Sequence, residues 1–188
     1  MTEPLPVAVV GAGAAGLMAA LFAARAGAPV VLLERTSDGG RKILISGGGR
    51  CNILPSVAQP ERYVTASSPH PLRKILLSWP LAEQRAFFEA ELGMPLVRED
   101  ETGKLFPSSQ RARDVRDALV TQVHAAGARI WMDARVTALA PASSGEPAPG
   151  DIPVPPPHWL VSVAGAPPLR AAAVVLATGG LSVPATGS

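Results

Sequence analysis

The stretch Val7-Ala8-Val9-Val10-Gly11-Ala12-Gly13-Ala14-Ala15-Gly16 decides the fold of this chain. Its apolar first half predicts a buried strand, and the uncharged residues 17–24 predict a helix, so the glycine-rich turn joins a strand to a helix. Gly11 permits a sharp turn, Gly13 lets a pyrophosphate approach the backbone, and Gly16 lets the helix pack close to the strand. We expect phosphates to face the free N–H groups at the helix start.

A second strand completes a βαβ unit over residues 6–34. Gly27 is placed to end the helix, and residues 30–33 form another apolar run. Glu34 closes that run 18 residues after Gly16, near the spacing of about 20 expected for an acid that accepts hydrogen bonds from a ribose. A carboxylate there favours a free 2′-hydroxyl over a 2′-phosphate, because two anions would otherwise be in contact. Arg35 weakens this preference without reversing it.

Composition favours an α/β domain with a parallel sheet. The 188 residues suit one domain or slightly more, and they are 47% hydrophobic but only 4% aromatic. A core of Val, Leu, Ile and Ala fits helices packed on a parallel sheet. The formal charge of +2, without a basic tract, gives nucleic-acid binding no electrostatic support.

Two further features bear on compartment. Residues 5–24 carry no charge, but their spaced glycines and the acidic Glu3 favour a buried βαβ unit over a membrane span or a secretory signal. Cys51 is the single cysteine, so the sequence predicts neither an intrachain disulfide nor a zinc cluster. A reducing cytoplasm is the expected compartment.

The rest of the chain alternates elements with turns. Periodicity and turn residues predict helices over 71–79, 81–92 and about 110–126, a hairpin from 96–98 and 104–106, strands at 129–133, 136–139, 159–163 and 174–177, and a proline-rich loop over 141–157.

A second glycine-rich segment offers anion-binding groups. Ser46-Gly47-Gly48-Gly49-Arg50-Cys51-Asn52 combines consecutive glycine N–H groups with a hydroxyl and a guanidinium, and Arg41 and Lys42 lie just upstream. These cations predict a second clamp on a dinucleotide, with a flexible surface loop as the alternative. Ala177-Thr178-Gly179-Gly180 follows the apolar run 173–176 and repeats the arrangement of a strand followed by glycines.

Taken in order, these segments resemble the BaiN-like (YhiN or HI0933-like) flavoproteins, and the Gly-Gly-Gly-Arg-Cys-Asn segment is the most specific part of that resemblance. The resemblance implies a glutathione-reductase-type FAD/NAD(P)-binding Rossmann fold, with a parallel sheet, helices and an antiparallel β-meander. It also implies non-covalent FAD, with NAD(P)H as a possible electron donor. The cofactor-binding residues that it implies, together with Arg35 and Gly40, are Gly11, Gly13, Ala14, Ala15, Gly16, Glu34, Arg41, Lys42, Ser46, Gly47, Gly48, Gly49, Arg50, Cys51, Asn52, Val136, Ala177, Thr178 and Gly179.

The resemblance also sets an expectation about extent. Similar proteins continue into an inserted substrate domain and return with a C-terminal glycine-rich segment that completes the flavin pocket. Residues 1–188 are therefore expected to be the N-terminal portion of a FAD-binding domain that is incomplete at its C-terminus. The expected partners are a small-molecule substrate and that missing part of the fold, with neither nucleic acid nor membrane. Whether the chain alone is an enzyme stays open.

No catalytic residue is named, because a flavin performs hydride transfer itself. Cys51 lacks a second thiol and is better interpreted as structural, and His70, His124 and His158 have no spaced partners for a metal or a triad. The leading hypothesis is the FAD-binding part of an oxidoreductase that transfers hydride between a reduced nicotinamide and an organic substrate. The alternatives are a non-catalytic nucleotide-binding fragment and an NAD-dependent dehydrogenase, which would continue β and α elements in alternation after Glu34.

Overall fold

The computed structural model describes residues 4–66, 68–142 and 158–180. It divides into two compact units. Unit one comprises Met1–Lys42 and Leu119–Ser188, and unit two comprises Ile43–Ala118.

The elements are numbered along the described residues. The helices are α1 (Ala14–Arg25), α2 (Arg41–Ile45), α3 (Pro69–Ser78), α4 (Leu81–Ala86) and α5 (Ala112–Ala125). The strands are β1 (Val7–Val10), β2 (Val30–Leu33), β3 (Leu54–Pro55), β4 (Leu96–Glu99), β5 (Lys104–Pro107), β6 (Arg129–Trp131), β7 (Val136–Pro141), β8 (Trp159–Val163), β9 (Leu169–Ala171) and β10 (Ala173–Leu176).

Unit one is built on a parallel sheet with the strand order β10-β1-β2-β6. The register aligns Val9 with Leu32 on one side and with Val175 on the other. Because the strands are parallel, the carboxyl ends of β1, β2 and β10 meet at one edge of the sheet. Their next residues, which include Gly11, Glu34 and Ala177, therefore gather at that edge, where α/β sheets bind ligands.

Helix α1 covers the sheet with its apolar side. Leu17, Ala20 and Leu21 are fully buried, and the close contact at Gly16 described below brings the helix near β1. The helix ends where the sequence predicts, because Gly27 adopts a φ of 85° and its N–H donates to the carbonyl of Ala24.

The predicted antiparallel meander is β7-β8-β9. Val161, Val163 and Ala171 of this sheet lie in one buried cluster with Val31 and Leu33 of β2. The family resemblance predicted a parallel sheet together with an antiparallel meander, and the structure contains both. The predicted α/β fold class is therefore confirmed.

Unit two contains the small antiparallel sheet β3-β5-β4, and its β4–β5 pair is the predicted hairpin. The sequence predicted one continuous helix over 81–92, but α4 ends at Ala86 and the chain continues as a π turn over Phe87–Glu91. In this turn Leu92 N–H donates to the carbonyl of Phe87, whose ring packs edge-on against Trp79. This hydrogen bond spans five residues instead of four, so the turn departs from the 3.6-residue period on which the prediction relied.

Other boundaries differ modestly. Helix α2 and the short strands β3 and β9 were not predicted, and β6 stops at Trp131 because Asp133 takes a φ of 56°. Pro141, expected in the proline-rich loop, ends β7, while residues 143–157 of that loop lie outside the described residues. None of the described helices is long and apolar enough to span a membrane.

Candidate nucleotide-binding site

The glycine turn after β1 is packed too tightly for side chains at two of its three glycines. A Cβ on Gly16 would lie 1.8 Å from the carbonyl oxygen of Gly11, and a Cβ on Gly11 would lie 2.7 Å from that of Ala177. Gly11 also has a φ of 102°. Gly13 differs, because nothing lies within 4 Å of a Cβ built there. Gly11 and Gly16 are therefore required by packing, whereas Gly13 leaves open space.

The start of α1 faces that open space with free backbone donors. The first bond of the helix runs from Leu17 N–H to the carbonyl of Gly13. The amides of Ala14, Ala15 and Gly16 precede it and have no acceptor within the helix. Ala14 and Ala15 are exposed. These donors and the positive end of the helix dipole suit an anion.

Glu34 is buried at the end of β2, and its carboxylate already accepts several hydrogen bonds. Oε2 accepts from the N–H of Ala12 at 2.7 Å. Oε1 accepts from the backbone N–H of Thr36 at 2.9 Å and from the Thr36 hydroxyl at 2.8 Å. A carboxylate offers about four acceptor positions, so one position on Oε2 remains for a ligand hydroxyl. The acid predicted to meet a ribose thus also holds the glycine turn.

The loop that follows β2 folds back on the same turn. Gly39 and Gly40 are buried with φ values of 62° and 67°, and Gly40 N–H donates to the carbonyl of Ala12 at 2.9 Å. A Cβ on Gly39 would lie 3.2 Å from the Cβ of Ala12. Both backbone polar groups of Ala12 are therefore bonded, and the turn is held from two sides.

The segment after β10 also contacts this edge of the sheet. Ala177 N–H donates to the carbonyl of Val10, and the Lys42 ammonium donates to the carbonyl of Gly180. A Cβ on Gly179 would lie 3.1 Å from Lys42 Nζ. Lys42, predicted to reach a phosphate or ribose, is therefore in contact with the glycine segment after β10.

Two adjoining cavities of about 270 and 210 Å³ lie at this edge of the sheet and share Gly11, Glu34, Arg35 and Thr178. The larger extends along Ala134, Arg135 and Val136. The smaller brings together the predicted residues Gly11, Gly13, Ala14, Ala15, Glu34, Arg35, Gly40, Arg41, Lys42, Ala177, Thr178 and Gly179. The cavities form an elongated cleft with cationic side chains near the helix start.

The segment Ser46–Asn52 lies in unit two, where Arg50 is engaged by protein groups. Its Nη1 pairs with Glu99 Oε1 at 2.9 Å, its Nε donates to the Gly47 carbonyl at 3.2 Å, and its Cζ lies 4.2 Å from the Phe106 ring centroid. Gly47 and Gly48 take left-handed conformations in a 3₁₀ turn over Ser46–Gly49. The segment is therefore an ordered turn held by Arg50. Its predicted flavin contact stays a prediction.

Titration in this segment follows from burial and pairing. Burial raises the pKa of the Cys51 thiol to about 11, so the thiol is protonated at neutral pH. The Thr102 hydroxyl, followed by Arg50, holds the pKa of Glu99 below its usual value. A protonated, buried Cys51 is a poor nucleophile, in keeping with a structural role. Among the described residues, no cluster of His, Cys, Asp and Glu could hold a metal ion.

Sequence reasoning missed several residues of this edge, among them Ala12, Thr36, Gly39 and Arg135. Thr36 follows Glu34 by two residues, a spacing at which a hydroxyl can bond a neighbouring carboxylate, so a local signal existed. Arg135 carries no such signal, because only the fold brings residues 134–136 to the end of β2.

Residues 5–188 match the family described as HI0933-like protein Rossmann domain. The chain belongs to this family. A 3-dehydro-bile acid delta(4,6)-reductase of Clostridium scindens is 32% identical over 141 residues, which cover 74% of this chain and 34% of that protein. A ribosomal RNA dihydrouridine synthase of Escherichia coli K12 is 28% identical over 187 residues, covering 99% of this chain and 42% of that protein. The chain thus spans well under half the length of these relatives.

Solved structures agree on the fold. The 3-ketosteroid-delta4-(5alpha)-dehydrogenase of Rhodococcus jostii RHA1 superposes with a TM-score of 0.60 at 19% identity, over 96% of this chain and 47% of that one. THI4 of Thermovibrio ammonificans gives a TM-score of 0.55 at 20% identity, over 97% of this chain and 61% of that one. At these identities the likeness concerns the fold alone.

Proposed function

We propose that the cleft in unit one binds the ADP half of FAD and that the chain is the FAD-binding part of a flavin-dependent oxidoreductase. The observation that carries this proposal is the convergence of the free amides at the start of α1, the open space at Gly13 and the buried Glu34 on one cleft. Family membership supports the same conclusion.

The phosphates fit the end of the cleft beside α1. A pyrophosphate lying against Gly13 would accept hydrogen bonds from the amides of Ala14 and Ala15, where a larger residue at position 13 would obstruct it. Arg41 lines the same cavity and adds positive charge. The dipole, the amides and the guanidinium all favour an anion.

The adenosine fits the other end. The remaining acceptor position on Glu34 Oε2 would receive a ribose hydroxyl, and the cavity beyond it is lined by Val136 and Arg135. Val136 would meet the adenine through its backbone. The carboxylate disfavours a 2′-phosphate, which is consistent with FAD.

The chemistry of the cofactor defines the reaction. When bound, FAD would supply the chemistry for hydride transfer between a reduced nicotinamide and an organic substrate. We infer reduction as the direction, because the names of two relatives, a reductase and a dihydrouridine synthase, both describe hydrogenated products. The same proposal includes a small-molecule substrate, NAD(P)H as the electron donor and a cytoplasmic location. It also includes contact of Ser46–Asn52 with the flavin.

Competition binding tests the proposal and separates it from its alternatives. The chain is titrated with FAD by equilibrium dialysis, with ADP, FMN and NADH as competitors. We expect saturable one-to-one FAD binding that ADP displaces and FMN, which lacks adenosine, does not. Preferential NADH binding would support the dehydrogenase alternative, and absence of saturable FAD or ADP binding would refute the proposal. FAD binding without turnover, set against an active longer chain, would identify a non-catalytic fragment.

A further inference from the structure

We propose that Thr36 is a positioning residue for Glu34 and the glycine turn, and that it sets how strongly the cleft distinguishes ribose from deoxyribose. The inference rests on the proposed function, because it concerns the same nucleotide site.

The Thr36 hydroxyl has a defined donor direction. It accepts the N–H of Gly39 at 3.1 Å and lies 2.8 Å from Glu34 Oε1. The Gly39 N–H can only donate and an ionised carboxylate can only accept, so the hydroxyl proton points to Glu34. The backbone N–H of Thr36 donates to the same oxygen at 2.9 Å. One residue therefore supplies both hydrogen bonds at Oε1.

This arrangement fixes which carboxylate oxygen meets the ligand. With two donors from Thr36, Oε1 has its acceptor positions filled. Oε2 holds the Ala12 N–H at 2.7 Å and keeps one position. Removing the Thr36 hydroxyl would leave one acceptor position on Oε1 without a donor, and the Glu34 carboxylate would rotate more freely. A ribose hydroxyl would then meet a less organised acceptor.

Thr36 also acts on the turn through the glycines after it. Its hydroxyl holds Gly39, which packs against Ala12, and Gly40 N–H donates to the Ala12 carbonyl. The carbonyl of Thr36 accepts from Asp133 N–H at 3.2 Å, which ties the loop to the end of β6. The residue is half-buried, so water competes only partly for these bonds.

The test measures affinities of the whole 188-residue chain for ADP and 2′-deoxy-ADP by calorimetry. We expect the unmodified chain to prefer ADP by roughly 10-fold or more, as for a hydrogen bond to a charged group. Thr36→Val should weaken ADP binding about 5- to 10-fold and bring the preference close to one. Thr36→Ser should restore both values. Ser37→Ala is the matched control, because Ser37 is an exposed hydroxyl on the same loop.

The outcomes separate the two proposals. If the unmodified chain binds neither nucleotide, the proposed function fails. The role of Thr36 is overturned if the unmodified chain binds ADP and 2′-deoxy-ADP equally. It is also overturned if Thr36→Val keeps the wild-type preference or weakens the binding of both nucleotides alike, or if Thr36→Ser does not restore the wild-type values. Thr36→Ala removes the same hydroxyl and gives the same readout should the valine variant not fold.

Discussion

The amide of Ala12 donates a 2.7 Å hydrogen bond to Oε2 of Glu34, although 22 residues separate them in the chain. The bond joins the turn after β1 to the end of β2. Glu34 therefore supports the shape of the glycine turn in addition to any contact with a nucleotide.

Replacing Glu34 by Gln should lower both stability and nucleotide affinity. A carboxamide has one acceptor atom, so its NH₂ group must face either the Ala12 N–H or the donors of Thr36. We expect a loss of about 1–3 kcal/mol in the free energy of unfolding without nucleotide, measured by urea denaturation. Glu61→Gln, at an exposed acid in unit two, is the control. Equal stability of Glu34→Gln and the unmodified chain would show that Glu34 does not stabilise the glycine turn.

Alanine at two glycines of the turn should affect different properties, stability at Gly16 and nucleotide affinity at Gly13. Gly16→Ala places a Cβ 1.8 Å from the Gly11 carbonyl oxygen and should prevent close packing of α1, with a large fall in thermal stability. Gly13→Ala meets no atom within 4 Å, and its φ of −78° suits any residue. It should fold normally yet bind ADP more weakly, as its methyl group enters the phosphate space. Wild-type affinity in Gly13→Ala would argue against phosphate at that position.

Cys51 should resist alkylation in the folded chain. Its pKa is raised from 9.0 to about 11, which reduces the thiolate fraction roughly 100-fold at neutral pH even before steric shielding is counted. Iodoacetamide labelling followed by mass spectrometry should be slow in buffer and fast in urea. Rapid labelling of the native chain would show that the thiol is accessible and reactive.

The hydrogen bonds that Glu99 accepts from Thr102 and Arg50 should make the stability of unit two sensitive to acid. The pKa of Glu99 is lowered in the folded chain, so its contribution to stability is present above the ordinary carboxyl pKa and is lost as pH falls through the lowered value. Glu99→Gln should therefore be less stable than the unmodified chain at neutral pH, and this difference should shrink as pH falls through the lowered pKa of Glu99. Glu101→Gln, at an exposed acid in the same hairpin turn, is the control. If the difference in unfolding free energy between Glu99→Gln and the unmodified chain did not change with pH, ionisation of Glu99 would not contribute to stability.

The βαβ unit could be predicted because its information is local. Apolar runs define β1 and β2. Gly11 and Gly27 have positive φ values that favour glycine, and close packing excludes a side chain at Gly16. Parallel pairing then brings the carboxyl ends of the strands to one edge. The position of the candidate site followed from this edge without knowledge of any side-chain contact.

The details of the site could not be predicted in the same way. Glu34 was expected to face a ribose, but its partner at Oε2 is a backbone amide, whose direction depends on the folded turn. Arg50 was expected to belong to a second clamp on a dinucleotide, and the sequence did not indicate its protein partners Glu99 and Phe106, which lie about fifty residues away in the hairpin. Contacts of this range leave no spacing pattern in the sequence.

Backbone amide shifts on addition of ADP test the central claim most directly. In a ¹⁵N–¹H correlation spectrum of the 19.3 kDa chain, we predict saturable shifts at Gly13, Ala14 and Ala15 and next to Glu34. These residues line the cleft in unit one. An unchanged spectrum, or shifts confined to residues 43–118, would contradict the assignment of the cleft to the ADP half of FAD.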